Sequence, residues 1–382
     1  MGGEGRAGGG QGKWRIPMVD LAAEYAEVGE AVEDAALRVL RSRRYLLGPE
    51  TAAFEAEMAR LVGVREAVGV GSGTQSLVLA LRACGVGAGD EVLTSPFTFF
   101  ATAEAILLVG AVPVFADIER GGFNVDSEAL DARVTRRTRA VVPVHLFGRC
   151  ADMPRIAAIA GRHGIAVVED AAQSIGAARA GRRAGAWGTA GCFSFYPAKN
   201  LGGAGDGGGV TTSEPEVAER LRLLRSHGTC ADGGHLLAGT TSRLDSLQAA
   251  VLRAKLPYLE AWTDARVRNA GIYAEELAGC PGVALPGGAP DEEIVWSQYT
   301  IRCREPGRVR AALEARGIEW RHYYPRPVCE EPGLGGFRRP AAAFPEATRA
   351  CAEVISLPVR ASCSPEVIRE IAGVIRDALG GS

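Results

Sequence analysis

Between Glu66 and about Thr212 the chain alternates two patterns. Unbroken apolar runs, "AVGVGS", "DEVLTS", "AVPVFADI", "RAVVPVHLFG", "IAVVED", "AGCFSFY" and "GGGVTTSE", are separated by stretches with apolar residues at helical spacing, such as "TQSLVLALRAC", "TFFATAEAILLVG" and "MPRIAAIAGRHG". A strand covered by helices on both faces reads as a continuous apolar run, not as an alternating one. The pattern therefore predicts an α/β fold with a large, mainly parallel sheet. In such sheets ligands gather at the carboxyl ends of the strands, so the residues closing each run are the first place to look for chemistry.

Beyond Pro215 the pattern turns helical. "SRLDSLQAAVLRAKLPYLEAWTDARVRNAGIYAEEL" (Ser242 to Leu277) keeps apolar residues at helical spacing, and Pro257 predicts a kink within it. "CPGVALPGGAPDEE" reads as a linker. "IVWSQYTIRC", "PGRVRAALEARG", "IEWRHYY" and "SPEVIREIAGVIRDAL" then predict a smaller α+β unit. The expected organisation is a disordered glycine-rich tail over 1–14, a large domain over 15–250, and a connecting helix with a smaller C-terminal domain over 251–382.

Charge and composition narrow the function. The 43 basic residues are balanced by 45 acidic ones, so no field of one sign gathers nucleic acid or an anionic membrane. No apolar run is long enough to span a bilayer. "MGGEGRAGGGQGK" has no apolar core for a secretory signal, and Arg6 stands where a myristoylation signal wants Ser or Thr. The nine cysteines are odd in number and contain no Cys-x-x-Cys pair, which argues against a disulfide framework and a structural zinc site. Free thiols in a reducing cytoplasm, with no metal site, are the expectation.

Four strand ends carry candidate chemistry. "GVGSGTQSLVLAL" ends a strand in Gly71-Ser72-Gly73-Thr74 and opens a helix. The free N–H groups there suit a phosphate, but taken alone the motif reads better as a tight turn. "IAVVEDAAQSIGA" closes a strand with Glu169 and Asp170. A carboxylate there can hold a heterocyclic nitrogen protonated, or it can cap a helix. "GCFSFYPAKNLGGAGDGGG" sets Lys199 between aromatics and glycines. Burial beside Phe193, Phe195 and Tyr196 would make its amine nucleophilic, whereas a surface loop would leave it ordinary. "SPFTFFATAEAI" offers Phe97, Phe99 and Phe100, of which one can stack on a flat ring while core packing claims at least two. Together, a phosphate-type helix start, an aromatic platform, a strand-end Asp and a later lysine make up a pyridoxal phosphate site.

At this point the chain resembles the sugar-nucleotide aminotransferases of the DegT/DnrJ/StrS type, which are fold type I pyridoxal phosphate enzymes. The likeness runs from "IPMVDLAAEY" to the final helix. It rests on "RYLLGPE", "SGTQSLVLALRACGVGAGDEV", "FTFFATAEAI", "VPVHLFGRCADM", "VEDAAQSIGA", "GCFSFYPAKNLGGAGDGGG" and "SRLDSLQAAVLRAKL". The resemblance implies that Lys199 forms the Schiff base and moves the proton, and that Asp170 pairs with the pyridine nitrogen. Gln173 is implied to reach the phenolic oxygen. The Gly73 and Thr74 backbone with the Ser194 hydroxyl would hold the phosphate, and Phe99 would stack on the ring. Lysine rather than histidine at 199 favours transamination over sugar dehydration. Three positions depart from the pattern. Thr241 replaces an asparagine that relatives supply across subunits to the cofactor phosphate. Cys329 replaces a histidine in a segment that lies toward the substrate. Arg43 stands where relatives often carry glycine, and the sequence alone assigns it no role.

The expected function is transfer of an amino group from an amino acid, glutamate by resemblance, to a keto sugar nucleotide, leaning to a 3-keto-deoxyhexose. The product would serve an antibiotic or a surface glycan, and a homodimer is implied. The rivals are an aminotransferase of a free carbocyclic ketone, as in aminocyclitol formation, and a non-catalytic regulatory protein on the same fold.

Overall fold

The computed structural model describes residues 14–230 and 232–380, so nearly all of the tail expected over 1–14 lies outside the described residues. Two helices come first, α1 (Leu21–Ser42) and α2 (Pro49–Val62). Strands and helices then alternate: β1 (Glu66–Val70), α3 (Gly73–Ala83), β2 (Glu91–Thr94), α4 (Phe100–Leu108), β3 (Val112–Phe115), α5 (Ser127–Asp131), β4 (Thr138–Val142), α6 (Met153–His163) and β5 (Ala166–Asp170). A small hairpin, β6 (Ala178–Arg179) and β7 (Arg182–Arg183), precedes β8 (Ala190–Ser194) and β9 (Gly208–Thr212).

Seven of these strands form one sheet in the order β1-β9-β8-β5-β4-β2-β3. The pairs β8–β5, β5–β4, β4–β2 and β2–β3 are parallel, and β9 runs antiparallel to both β8 and β1. The unbroken apolar runs have the predicted cause. Val92, Val142, Val168 and Val210 face one core with Leu77, Leu79 and Leu81 of α3. Their neighbours Leu93, Val141 and Val167 face the opposite core with Met153, Ile156 and Ile159 of α6.

The helical region divides into α7 (Pro215–Leu224), α8 (Ser246–Lys255) and α9 (Leu259–Glu276), and a 3-10 turn over Leu256–Tyr258 sits at the predicted Pro257 kink. The remaining elements are β10 (Val283–Ala284), β11 (Glu292–Glu293), β12 (Tyr299–Cys303), α10 (Pro306–Ala315), α11 (Pro345–Glu353), β13 (Val354–Leu357) and α12 (Pro365–Leu379). A second sheet, β10-β12-β13, has its own core of Tyr273, Tyr299, Ile301, Leu313, Ile355 and Ile371. β11 joins the β6–β7 hairpin instead. "IEWRHYY" contributes only isolated bridges, Ile318 to Ile16 and Arg321 to Ser356.

A further apolar cluster ties the two parts together. Phe97, Phe115 and Phe147 from the large-sheet region pack with Val328, Cys329, Leu334 and Phe344 from the C-terminal region. Asp117, just past β3, accepts the Glu346 and Ala347 N–H groups at 2.9 Å each, so it caps α11 from across this junction. The unassigned Arg43 also finds its place. It terminates α1 in the left-handed conformation (φ 59°), with its N–H turned back to Val39 and Leu40. Glycine meets no steric penalty at such a cap.

Candidate active site

Every expected site residue but Thr241 lies on a segment at the carboxyl edge of the large sheet. At the end of β1, Ser72 caps α3 by accepting the Gln75 N–H at 3.2 Å. The Gly73 and Thr74 N–H groups in that first turn have no acceptor within the helix. Gly73 is required by packing: a Cβ there would sit 2.6 Å from Ser194 Cβ, at the end of β8. The turn and Ser194 thus meet without a side chain filling the space between them. Ser194 Oγ accepts the Tyr196 N–H at 3.4 Å.

Asp170 is the last residue of β5 and is 6% exposed. Its Oδ2 accepts from the Thr102 hydroxyl at 2.8 Å and its Oδ1 from the Ala172 N–H at 3.2 Å. Burial pushes its carboxyl above the usual range. Thr102, the Ala172 N–H and the charge of Lys199 oppose that push without cancelling it. The adjacent Glu169 points to the other face of the strand. It is fully buried and accepts the N–H groups of Gly185, Trp187 and Gly188 at 2.7–2.8 Å. It also meets His145 Nε2 at 2.8 Å. His145 Nδ1 accepts the Ala151 N–H at 3.1 Å, which places the ring proton on Nε2, facing Glu169. The two acids that the sequence sets side by side therefore divide: Glu169 knits loops together and Asp170 faces the site.

Lys199 lies in the connection from β8 to β9. This connection folds back on itself through Lys199 N–H to Tyr196 C=O at 2.9 Å and Gly203 N–H to Phe195 C=O at 2.8 Å. Asn200 anchors it by donating to Val295 C=O at 3.0 Å. The Lys199 side chain is half-buried. Burial lowers the pKa of its amine below the ordinary lysine value, and the nearby charge of Asp170 works in the opposite direction.

The three phenylalanines divide by burial. Phe97 is in the core, Phe100 packs against the C-terminal cluster, and Phe99 stays 61% exposed at the start of α4. The Phe99 ring is 6.5 Å from that of Tyr324. Gln173 Oε1 accepts the Phe147 N–H at 2.8 Å, and its amide nitrogen donates to the Tyr324 hydroxyl at 3.3 Å. Tyr324 and Thr102 were not singled out from the sequence. Tyr324 ends the quoted "IEWRHYY" with no signal tying it to Gln173, because that contact is set by tertiary packing alone. Thr241 is exposed and its hydroxyl lies 2.5 Å from His227 Nε2. Cys329 lies in the segment that the resemblance sets toward the substrate. It is fully buried in the junction core, and burial pushes its thiol up to about 12.

A parallel sheet with one reversed strand, a lysine in the loop that reverses it and an aspartate ending a neighbouring strand is the arrangement of the fold type I aminotransferases. The chain belongs to the DegT/DnrJ/EryC1/StrS aminotransferase family, whose model matches residues 27–376. It is 44% identical over 361 residues to the dTDP-3-amino-3,4,6-trideoxy-alpha-D-glucose transaminase of Streptomyces venezuelae, covering 94% of this chain and 95% of that one. It is also 44% identical over 366 residues to the UDP-N-acetyl-3-dehydro-alpha-D-glucosamine 3-aminotransferase of Acidithiobacillus ferrooxidans, covering 96% and 98%. Among solved structures, S. venezuelae DesV in complex with a ketimine intermediate superposes with a TM-score of 0.93 at 43% identity, covering 95% of this chain and 98% of that one. The aminotransferases of this family use pyridoxal phosphate or its amine form.

Proposed function

We propose that the protein transfers the amino group of an amino acid, L-glutamate, to the ketone of a nucleoside-diphosphate sugar. A 3-keto-deoxyhexose is the preferred acceptor, and the amino sugar goes to an antibiotic or a surface glycan. The observation that carries this reading is the buried Asp170 carboxyl beside the half-buried Lys199 amine, next to the bare Gly73–Thr74 turn. The relatives named above, two transaminases acting on dTDP- and UDP-linked 3-amino or 3-keto sugars, support the choice of acceptor.

The residues fit the cofactor. The Gly73 and Thr74 N–H groups and the Ser194 hydroxyl suit its phosphate, and the exposed Phe99 ring its flat face. Gln173 has an amide whose hydrogen bond to Tyr324 can be exchanged for one to the ring oxygen. Asp170 is fixed by Thr102 and Ala172, yet burial still pushes its carboxyl up, so a cationic ring nitrogen is the partner it lacks. When bound, pyridoxal phosphate supplies an electron sink for charge developing at the substrate carbon. Lys199 does the proton work. Its lowered pKa keeps more of the amine uncharged near neutral pH, and the folded-back loop holds it where a proton can leave and return. A cation facing Asp170 would favour its charged form against the push of burial, so the site suits a protonated ring.

A homodimer completes the reading. Tyr45, Leu46 and Leu47, just after α1, are each nearly half exposed, an apolar strip that a second copy would cover.

The test is an acceptor panel. The cofactor's amine form on the protein should be consumed by dTDP- or UDP-linked 3-keto sugars, more slowly by 4-keto sugars, and the free nucleotide should compete. Consumption by a nucleotide-free carbocyclic ketone, with no competition by nucleotide, would replace this acceptor with the aminocyclitol type.

A further inference from the structure

The segment Ser242–Lys255 is among those that carry the family resemblance, but none of its side chains takes part in the chemistry above. One face of α8 carries Gln248 and Lys255, two helical turns apart, and both reach the loop that bears Lys199. Gln248 Oε1 accepts the Ala204 N–H at 2.8 Å. Lys255 Nζ donates to Gly202 C=O at 2.8 Å and to Glu24 Oε1 of α1 at 2.6 Å.

The loop needs such a hold. Gly202, Gly203 and Gly205 give it no side chains to pack with, and glycine backbone resists ordering more than any other. Its fold leaves no room to add them: a Cβ on Gly202 would lie 2.3 Å from Pro197 C=O, and one on Gly203 2.7 Å from Gln248 Oε1. Lys255 is only 8% exposed, and an ammonium is costly to bury unless it is paired and hydrogen-bonded. A charge-assisted hydrogen bond to a carbonyl is stronger and more directional than a neutral one, which gives the buried charge a structural use.

We propose that Lys255, balanced by Glu24, and Gln248 are positioning residues that clamp the glycine loop against α8 and so set where the Lys199 amine stands. The proposal rests on the reading of Lys199 as the cofactor-binding amine. It makes α1 part of the site's machinery, because Glu24 joins that helix to the loop through one side chain.

The test uses the full chain. The double variant Lys255→Met/Glu24→Leu removes both charges together, an exchange buried ion pairs often tolerate without loss of fold. In the cofactor-free protein, amide hydrogen exchange over 199–205 should speed up by about tenfold or more while β5 stays at its wild-type rate. With pyridoxal phosphate bound, kcat with glutamate should fall about tenfold with KM little changed, the split expected of a misplaced group. The pH midpoint of the visible band should shift as well. Lys255→Arg, which keeps a cationic donor, should recover part of both losses. A folded double variant with wild-type loop exchange and wild-type kcat overturns the proposal. If the double variant does not fold, Gln248→Leu decides, since unchanged exchange at Ala204 with unchanged kcat overturns it equally. Failure of the wild-type protein to take up pyridoxal phosphate would instead overturn the functional reading, and the exchange data would still report on the clamp.

Discussion

At the scale of the residue, Lys199 and Asp170 each carry a cost of burial that the other partly relieves. Asp170 raises the pKa of Lys199, and burial lowers it. Asp170→Asn should therefore lower the pH at which the Lys199 amine of the cofactor-free protein becomes reactive, measured by acylation rate against pH with peptide mapping. Stability should move too. The folded-state pKa of Asp170 is raised above its ordinary 3.8, so its contribution to stability is lost as pH rises through the folded value. Asp170→Asn should make the cofactor-free protein more heat-stable at neutral pH while impairing transamination. Arg43 shows the opposite case, a residue whose meaning lies in one backbone angle. Left-handed geometry costs a side chain about 1–2 kcal/mol relative to glycine, so Arg43→Gly should stabilise the protein by ~1 kcal/mol in denaturant melts. No pattern in the sequence marks φ, which is why that position was unreadable before the structure.

At the scale of the element, β5 shows what a strand's period of two does to neighbouring acids. Asp170 opens toward Thr102 and Lys199, and Glu169 turns toward His145 and three backbone N–H groups. Glu169→Gln removes one charge and mismatches a buried network, so it should cost about 3 kcal/mol of stability. Its effect on kcat should be smaller than that of any change at Asp170, which thermal melts and steady-state rates together would check. The strands themselves were legible because both faces are covered, which makes each run apolar throughout. The antiparallel sense of β9 was not, since an apolar run carries no mark of direction. The two-residue strands of the β6–β7 hairpin were missed because they are too short to establish a period, and β13 because it follows directly on α11 with no turn signal to separate them.

At the scale of the whole molecule, the site is assembled from segments that start at Gly71 and end at Tyr324, held by a core that crosses from the large sheet to the C-terminal part. Strand-end position singled out Gly73, Thr74, Asp170 and Lys199 in the sequence, whereas Gln173 and Ser194 came only from the family resemblance. The sequence carried no sign that the Cys329 thiol is buried in the junction core. It had no means to find Tyr324, Thr102 or the α8 clamp, because those contacts join elements distant in the chain. No helix among the described residues is long and apolar enough to cross a membrane. The account as a whole stands on one optical measurement, the visible absorbance of the purified protein with pyridoxal phosphate, read before and after glutamate and again after a 3-keto sugar nucleotide. The account predicts a Schiff-base band that glutamate bleaches and the keto sugar restores. It also predicts loss of that band and a fall in turnover of about 10²–10⁴-fold in Lys199→Ala. A protein that stays colourless with pyridoxal phosphate, or a Lys199→Ala variant that behaves as wild type, would contradict it.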